Sequence, residues 1–350
     1  MSTIPSIASG ERGEEVDRVE AIMGRGGTRL RKRMESTELY LERVTAQAGV
    51  PLAGHASATI MAGGKRLRPL LVVLAAESAG CSQDMREGEE QLIRAAVAVE
   101  LVHSATLVHD DLIDGARLRR GHPTVVALAG REVALATGDL LFSRAFGELA
   151  KNGSGTQLSA LSAASSALAE GELLQREDAY SPHVTVERYM RRCELKTAAL
   201  FEAACRLGAL MAPAGDPAAL AGALAGFARR IGLAFQILDD VLDVSGEVER
   251  TGKARGTDLL DGTVTLPLIL ARAHEPQLAS FDLATLDGPG GQEKAEQLCE
   301  RIAATGALGQ AREQALQLVA EAKAELPAIL PGGRSELLEL VADAVVERYS

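Results

Sequence analysis

Two long apolar segments, each ending in a cluster of aspartates, constrain the fold of this chain more than any other feature. Residues 91–114 are apolar on nearly every side until the last turn, and residues 225–244 are similar beyond Arg230. A helix without a polar face lies in the middle of a protein rather than on its surface. The two segments therefore predict two central helices, each of which carries acidic groups at one end.

The composition favours helices throughout. Aromatic residues make up only 3% of the chain and tryptophan is absent, while alanine and leucine are abundant. Alanine and leucine are strong helix formers, whereas sheets rely on aromatic and β-branched residues. The sequence therefore predicts an all-α fold. A polar, glycine-rich start predicts a flexible N-terminal arm over residues 1–28, and residues 29–350 contain no break long enough to divide a single all-α domain.

Charge and cysteine usage restrict the partners and the compartment. The formal net charge of −11 argues against nucleic acid as a partner, since a phosphate backbone requires a basic face. The four cysteines show no CxxC spacing, which is typical of buried thiols in a reducing compartment. The N-terminus lacks a secretory pattern, and no uninterrupted apolar run approaches ~18 residues. We therefore expect a cytoplasmic protein without a transmembrane segment.

Both aspartate clusters have the form DDxxD. They comprise Asp110, Asp111 and Asp114 in the first, and Asp239, Asp240 and Asp243 in the second. On a helix, positions i and i+4 share a face, where like charges repel and burial would add to the cost. Mg²⁺ prefers oxygen ligands and would neutralise these groups. Solvated acidic helix ends and a glycosidase carboxylate pair remain alternatives, but the repetition beside two apolar segments favours a metal.

Basic residues stand close to both clusters in the sequence. These basic residues are Lys65 and Arg68 after a glycine pair, Arg119 and Arg120 after the first cluster, Lys196 in an alanine-rich helix, and Lys253 beyond the second cluster. Arginine suits bidentate phosphate binding and lysine suits a point-charge contact. Arg66 and Arg117 are better explained as solvated surface charges. Together the patterns predict a diphosphate held between Mg²⁺ and basic side chains.

Five motifs in this order resemble the trans-isoprenyl diphosphate synthase (polyprenyl synthetase) family. They are GGKRLRP, LVHDDLIDGARLRRGHPT, ELKTA, FQILDD and GKARGTDLLDGTVTLP, and they span residues 63–267. The resemblance implies an isoprenoid-synthase-type helical bundle around a deep central cavity, usually as a homodimer. It implies a prenyltransferase that joins isopentenyl diphosphate head-to-tail to an allylic diphosphate by ionisation, alkylation and proton loss. Three Mg²⁺ ions per site, with Mn²⁺ as a substitute, and a peripheral membrane contact for product release are further expectations.

The resemblance also assigns a role to each matching residue. Asp110, Asp114 and Asp239 are the implied principal metal ligands, and Asp111, Asp240 and Asp243 are implied helpers. Arg119, Lys196 and Lys253 are implied to hold the allylic diphosphate, while Lys65, Arg68, His103 and Arg120 are implied to hold isopentenyl diphosphate. Lys196, Thr197 and Gln236 form the implied catalytic group, with Thr197 and Gln236 near the developing allylic cation. One departure is clear: residues 261–265 lack a lysine that the family often carries there.

Product length should depend on the residues that precede the first cluster. These are Ala105 and Thr106, then Leu101 and Val102. Family members that make short products often carry an aromatic residue or an insertion at this place. Because these four residues include no aromatic side chain and DDLID contains no insertion, the resemblance implies a medium or long all-trans polyprenyl diphosphate. The alternative is that the small residues only allow close helix packing and that another helix supplies the floor.

Three other functions remain open. A short-chain farnesyl or geranylgeranyl diphosphate synthase differs only in product. A terpene cyclase would not need Lys65, Arg68 and Arg120. A non-catalytic subunit of a heteromeric synthase should have lost aspartates, whereas both clusters are intact here.

Overall fold

The computed structural model describes residues 12–47, 49, 52–81, 86–246, 255–330 and 332–347. Within them the chain is almost entirely helical, which confirms the predicted all-α class. The α-helices are α1 Arg12–Ala46, α2 Leu52–Met61, α3 Leu67–Ser78, α4 Arg86–Asp114, α5 Val125–Ala129, α6 Arg131–Ala150, α7 Gly155–Asp178, α8 Val186–Cys193, α9 Ala199–Ala209, α10 Pro217–Ser245, α11 Thr257–Leu260, α12 Leu266–His274, α13 Pro276–Ala279, α14 Gly291–Ala304, α15 Ala307–Ile329 and α16 Glu336–Glu347. A π-helical turn, Glu194–Ala198, joins α8 to α9, and a 3-10 turn, Leu283–Leu286, precedes α14.

The two predicted central helices are α4 and α10. Helix α4 packs against α6, α3 and α1, and α10 packs against α15 and α9. The side chains of Val97, Leu101, Ile231 and Ile237 are completely buried. Helix α10 starts at a proline that follows Asp216, whose carboxylate accepts hydrogen bonds from the first free backbone N–H groups. Both helices end at or just after an aspartate cluster, so the acidic groups reach the same region of the core.

Two helical stretches, Gly88–Asp114 and Pro217–Ser245, are long and apolar enough to cross a membrane. The sequence predicted no membrane span, because charged residues interrupt both apolar segments. Of their most apolar windows, 72% and 50% are buried inside the structure. Interior helices of a soluble bundle pass the same test, so length and composition are weak grounds for a membrane span here.

A kink divides the N-terminal helix. Helix α1 begins at Arg12, within the segment over residues 1–28 that the sequence predicts as a flexible arm. The backbone of Gly27 is non-helical (φ 69°, ψ −166°), so a kink divides α1 close to the predicted boundary. Residues 1–11 lie outside the described residues, and the division into an arm and a domain over residues 29–350 stays a prediction.

A short hairpin follows the first aspartate cluster. Its strands, Leu118–Arg119 and His122–Pro123, pair antiparallel, with Arg119 opposite His122. Arg120 (φ 54°) and Gly121 (φ 79°) form the tip in the left-handed region that such turns require. The hairpin folds the arginines of this segment back towards the end of α4.

Candidate active site

A cavity of about 640 Å³ lies among α4, α6, α7, the π-helical turn and α10. Its lining includes the predicted residues Arg68, His103, Thr106, Asp110, Asp114, Arg119, Lys196, Thr197, Gln236, Asp239 and Asp240. The predicted residues Lys65, Leu101, Val102, Ala105, Asp111, Arg120 and Asp243 are not part of the lining that the structure describes. Lys253 lies outside the described residues. The fold therefore brings both acidic clusters and several of the predicted cations to one cavity.

The three aspartates of the first cluster have different surroundings. Burial raises the pKa of Asp110 to about 6, and the charge of Lys196 partly opposes this shift. Asp114 accepts a hydrogen bond from the guanidinium of Arg176. Asp111 turns away from the cavity and accepts a 2.8 Å hydrogen bond from Nε of Arg119. Asp111 thus orients a cavity arginine.

The second cluster is divided in the same way. Asp239 is exposed in the cavity wall, whereas Asp240 is 3% exposed. Asp240 accepts hydrogen bonds from the Tyr189 hydroxyl and from the Gln236 amide, both at 2.7 Å. Burial, followed by the charge of Asp258, raises the pKa of Asp240 above its usual range. Asp243 accepts 3.2 Å hydrogen bonds from two backbone N–H groups at the start of α11 and therefore caps that helix.

The donor set fits magnesium. Among the described residues, no three carboxylate, histidine or cysteine groups converge closely enough to hold a metal by themselves. Mg²⁺ characteristically binds one or two protein carboxylates and takes its other oxygens from water and substrate phosphates. Asp110, Asp114 and Asp239 present only oxygen donors to the cavity, and the burial of Asp110 makes a neighbouring cation favourable.

Helix α7 supplies an ion-pair chain that the sequence analysis missed. The Lys196 ammonium pairs with Glu172, Glu172 accepts a 3.0 Å hydrogen bond from Nε of Arg176, and Arg176 also binds Asp114. Gly171 allows the close approach, because a Cβ atom there would lie 2.5 Å from the backbone nitrogen of Lys196. Glu172 and Arg176 stand four residues apart, a spacing at which ion pairs are common on helix surfaces, so the sequence carries no signal of a cavity role.

Next to Lys196, a row of polar groups leads from the cavity wall to the second cluster. The Thr197 hydroxyl donates to the Gln236 side-chain oxygen at 2.7 Å, and the amide nitrogen of Gln236 donates to Asp240. Each hydrogen bond fixes the next side chain, so the amide of Gln236 has a defined orientation. Thr197 and Gln236 both line the cavity, where the sequence predicted them.

Arg68 and His103 form a basic corner of the cavity. Nε of Arg68 is buried without a hydrogen-bond partner, and the guanidinium lies 4.9 Å from the centre of the Phe201 ring. Burial lowers the pKa of Arg68 to about 10. Burial and the surrounding arginines hold the pKa of His103 well below its usual value, so the imidazole is neutral at pH 7. A buried cation with an unsatisfied donor is a natural place for an anion.

Two arginines next to this corner behave differently from each other. The Arg120 guanidinium donates to the carbonyl of Gly63, which ties the hairpin to the glycine pair.

The prediction that Arg66 is a solvated surface charge is wrong. Its side chain is 11% exposed and pairs with Glu38 at 2.5 Å and Glu100 at 2.9 Å. These partners stand 28 and 34 residues away in the sequence, so only the fold reveals them. Arg117 is exposed, as predicted.

The wall below the first cluster is built differently from the sequence-based expectation. Of the four predicted chain-length residues only Thr106 lines the cavity; Leu101, Val102 and Ala105 are completely buried in the packing of α4. Leu107 of α4 completes the wall together with aromatic and aliphatic groups from other helices, namely Phe142, Leu168, Leu200 and Phe235. Whether one of these groups is the floor that limits product length stays a prediction.

Phe142 is held in place by His109. The two ring centres are 5.8 Å apart, and the imidazole lies against Gly138, where a Cβ atom would come within 2.1 Å of Nε2. The pair joins α4 to α6 directly beside the first acidic cluster. No periodic pattern in the sequence indicates this contact.

An all-α bundle whose central cavity is lined by two acidic clusters and facing cations defines the class of isoprenoid synthases. The chain belongs to the polyprenyl synthetase family, whose model matches residues 51–302. It is a prenyltransferase, as the motifs predicted. Its reaction class is that of a polyprenyl diphosphate synthase.

Individual relatives agree with this assignment. The chain is 40% identical over 242 residues to heptaprenyl diphosphate synthase component 2 of Geobacillus stearothermophilus, covering 69% of this chain and 73% of the relative. It is 36% identical over 290 residues to octaprenyl diphosphate synthase of Escherichia coli, covering 83% and 87%. A polyprenyl synthase from Caulobacter crescentus, crystallised with calcium and isoprenyl diphosphate, superposes with a TM-score of 0.81 at 34% identity over 99% of this chain and 100% of that one. These names differ in product length, so similarity establishes the class and not the length.

Proposed function

We propose that this enzyme elongates an allylic diphosphate with isopentenyl diphosphate, in a Mg²⁺-dependent reaction, to a medium or long all-trans polyprenyl diphosphate. The observation that carries the proposal is the meeting of both acidic clusters with Lys196, Arg119 and Arg68 around one cavity. The crystallised relative from Caulobacter crescentus holds a divalent cation and an isoprenyl diphosphate, which supports the same pairing here.

The allylic diphosphate is assigned to the acidic side of the cavity. Asp110, Asp114 and Asp239 would hold Mg²⁺, with three ions per site and Mn²⁺ as a substitute, and Lys196 and Arg119 would bind the diphosphate oxygens. Magnesium supplies charge that weakens the C–O bond to the leaving diphosphate. Asp111 keeps Arg119 pointed at this site through its 2.8 Å hydrogen bond. Lys253, the remaining cation assigned to this diphosphate, stays a prediction.

Isopentenyl diphosphate is assigned to the basic corner. Arg68 offers a buried, unpartnered Nε to an anion, and neutral His103 beside it can donate one hydrogen bond. Lys65 and Arg120 are exposed at the rim and would complete the diphosphate contacts by closing over the ligand. This division places the two substrates in adjacent parts of one cavity.

The developing allylic cation is assigned to the row formed by Thr197 and Gln236. Because the Thr197 hydroxyl donates to Gln236, the lone pairs of its oxygen remain available to a cationic carbon. The apolar wall excludes water, which would trap the cation. The departing diphosphate is assigned as the acceptor of the proton that is lost after alkylation, as the family resemblance implies.

Product length follows from the apolar wall. Thr106 of α4 lines the cavity beside the first cluster with a small side chain, and Phe142 of α6 lines it with an aromatic one. The small side chains favour a product longer than geranylgeranyl diphosphate, and Phe142 is the specific observation that favours a short-chain synthase instead. Ala105→Phe tests whether Ala105 limits the length of the product, as the sequence predicts. If the product does not shorten, Ala105 has no part in the product tunnel.

Assembly and location form the last part of the proposal. Leu128 in α5 and Leu135 in α6 are 62% and 51% exposed, and we assign this face to a homodimer contact. The cysteines at residues 81, 193, 205 and 299 are buried free thiols, which suits the cytoplasm. A peripheral membrane contact would receive the apolar product.

The deciding experiment is product analysis of the purified protein with Mg²⁺, isopentenyl diphosphate and farnesyl diphosphate by mass spectrometry. A ladder that passes geranylgeranyl diphosphate supports the proposal, and a stop at that product identifies the short-chain alternative. The relative named component 2 favours a second candidate, a subunit that works with a partner chain. Complete lack of turnover by the isolated protein would favour that candidate.

A further inference from the structure

Arg176 occupies an unusual place in the cavity wall. It extends from α7, binds Asp114 of the first cluster with one end of its guanidinium, and donates from Nε to Glu172 at 3.0 Å. Its side chain is 42% exposed. The residue lies in none of the motifs that identify the family, so no role follows for it from the sequence pattern.

The charges around the cavity show which cations can reach a substrate. The described carboxylates in its lining are Asp110, Asp114, Glu172, Asp239, Asp240, Asp258 and Asp261, and the described cations are Arg68, Arg119, Arg176, Arg192 and Lys196. Arg192 is 3% exposed and donates to the Val264 carbonyl at 2.6 Å, so its guanidinium is fixed in the wall. Arg119 is oriented by Asp111. Arg176 is therefore the most exposed lining cation on the acidic side, at 42% against 34% for Arg119 and 27% for Lys196.

The acidic side also lacks the lysine that the family often carries in residues 261–265. Thr263 lines the cavity in that segment, next to Asp258 and Asp261. Residues 261–265 themselves offer no cation to a diphosphate bound in this cavity. Arg176 lines the same cavity from α7 and would offset the charge of these carboxylates.

We propose that Arg176 is a diphosphate-binding residue of this enzyme, held on Asp114 and Glu172 in the free protein and transferred to the substrate when Asp114 binds metal. The inference rests on the proposed function of the cavity. An oxygen of Asp114 that coordinates a metal ion is no longer available to a guanidinium. Glu172 keeps its contact with Nε, so both terminal nitrogens of Arg176 become free for a bidentate contact with phosphate oxygens.

The test compares Arg176→Gln with a matched control in the full-length protein. Arg206 in α9 is 40% exposed and pairs with a glutamate four residues before it, as Arg176 does, but it lies outside the active-site lining. Calorimetry measures the binding of inorganic pyrophosphate in the presence of Mg²⁺. Arg176→Gln should weaken binding about tenfold or more, since a charge-assisted hydrogen bond is lost. Arg206→Gln should leave binding unchanged.

Two further variants separate substrate binding from a structural role. Arg176→Lys keeps the charge and should retain part of the affinity. Adding Thr263→Lys to Arg176→Gln returns a cation to the opposite loop and should restore pyrophosphate binding. If Arg176→Gln fails to fold, Arg176→Lys decides the matter, because it keeps a cation beside Asp114 and Glu172. Lysine cannot make the bidentate contact, so wild-type pyrophosphate affinity in Arg176→Lys would overturn the proposal.

Two results distinguish failure of the inference from failure of the proposed function. Normal Mg²⁺-dependent binding and turnover in the wild type, with unchanged pyrophosphate affinity in Arg176→Gln, would overturn the inference. Tighter Mg²⁺ binding without weaker pyrophosphate binding would show that Arg176 only blocks Asp114, and it overturns the inference as well. No pyrophosphate binding and no turnover by the wild type would instead remove the proposed function on which the inference rests.

Discussion

The contact between Gly171 and the π-helical turn gives the most direct test of how the fold positions Lys196. In Gly171→Ala, the new Cβ atom would lie 2.5 Å from the backbone nitrogen of Lys196 and 2.9 Å from its Cα and Cβ atoms. Ordinary contact begins at 3.4 Å, so α7 and the turn must separate by about 0.9 Å. The obstacle is backbone, which cannot rotate away as a side chain could.

This displacement should lower both the free energy of unfolding and the rate of turnover. Overpacking of a closed helix contact typically costs about 1–3 kcal/mol of unfolding free energy. A shift of about 1 Å in a residue that positions substrate reduces turnover by about 10²-fold. We therefore expect Gly171→Ala to fold with reduced stability and to lose kcat/KM by roughly this factor.

The assay combines urea unfolding with steady-state kinetics, and Gly147→Ala serves as the control. Gly147 lies in α6 with nothing within 4 Å of an added Cβ atom. Alanine is better than glycine inside a helix by about 0.5–1 kcal/mol, so this control should be slightly stabilised and fully active. Wild-type stability and activity in Gly171→Ala would refute the claim that close packing of α7 places Lys196.

Three further predictions concern the wall, the core and the metal. Phe142→Ala opens the cavity and should lengthen the product measured by mass spectrometry. Phe146→Ala, one turn further along α6 and outside the described lining, should leave the product length unchanged. Equal product lengths in both variants would show that Phe142 does not limit the chain. Arg33→Met should lower the free energy of unfolding in urea by about 2 kcal/mol, because the 1% exposed guanidinium of Arg33 loses its charge-assisted hydrogen bonds to Glu77 and Glu89, which stay partly in contact with solvent. An unchanged midpoint would show that the pairs add nothing. Chelation by EDTA should abolish turnover and added Mg²⁺ should restore it, because the carboxylates cannot bind a diphosphate without a metal ion. Full activity in EDTA would contradict the magnesium assignment.

The all-α class and the two central helices could be predicted because they depend on local composition and helical periodicity. The same periodicity shows which aspartates share a face of their own helix. The family resemblance supplied 11 of the 30 residues that line the cavity. The reversal of Arg66, from an expected surface charge to a buried ion pair, shows the limit of this reasoning. Its partners Glu38 and Glu100 come from two other helices, and the spacing along one segment contains no information about them.

The sequence by itself determined that acidic groups stand at the ends of two buried helices, and hence that metal and diphosphate chemistry is expected. Tertiary structure decided which of these groups face the cavity. Asp111 orients Arg119 and Asp243 caps α11, although both belong to DDxxD motifs. It also brought Arg176 to Asp114 across 62 residues of sequence. Helical spacing fixes the face on which a side chain lies, but the groups that meet that face are set by packing between distant segments.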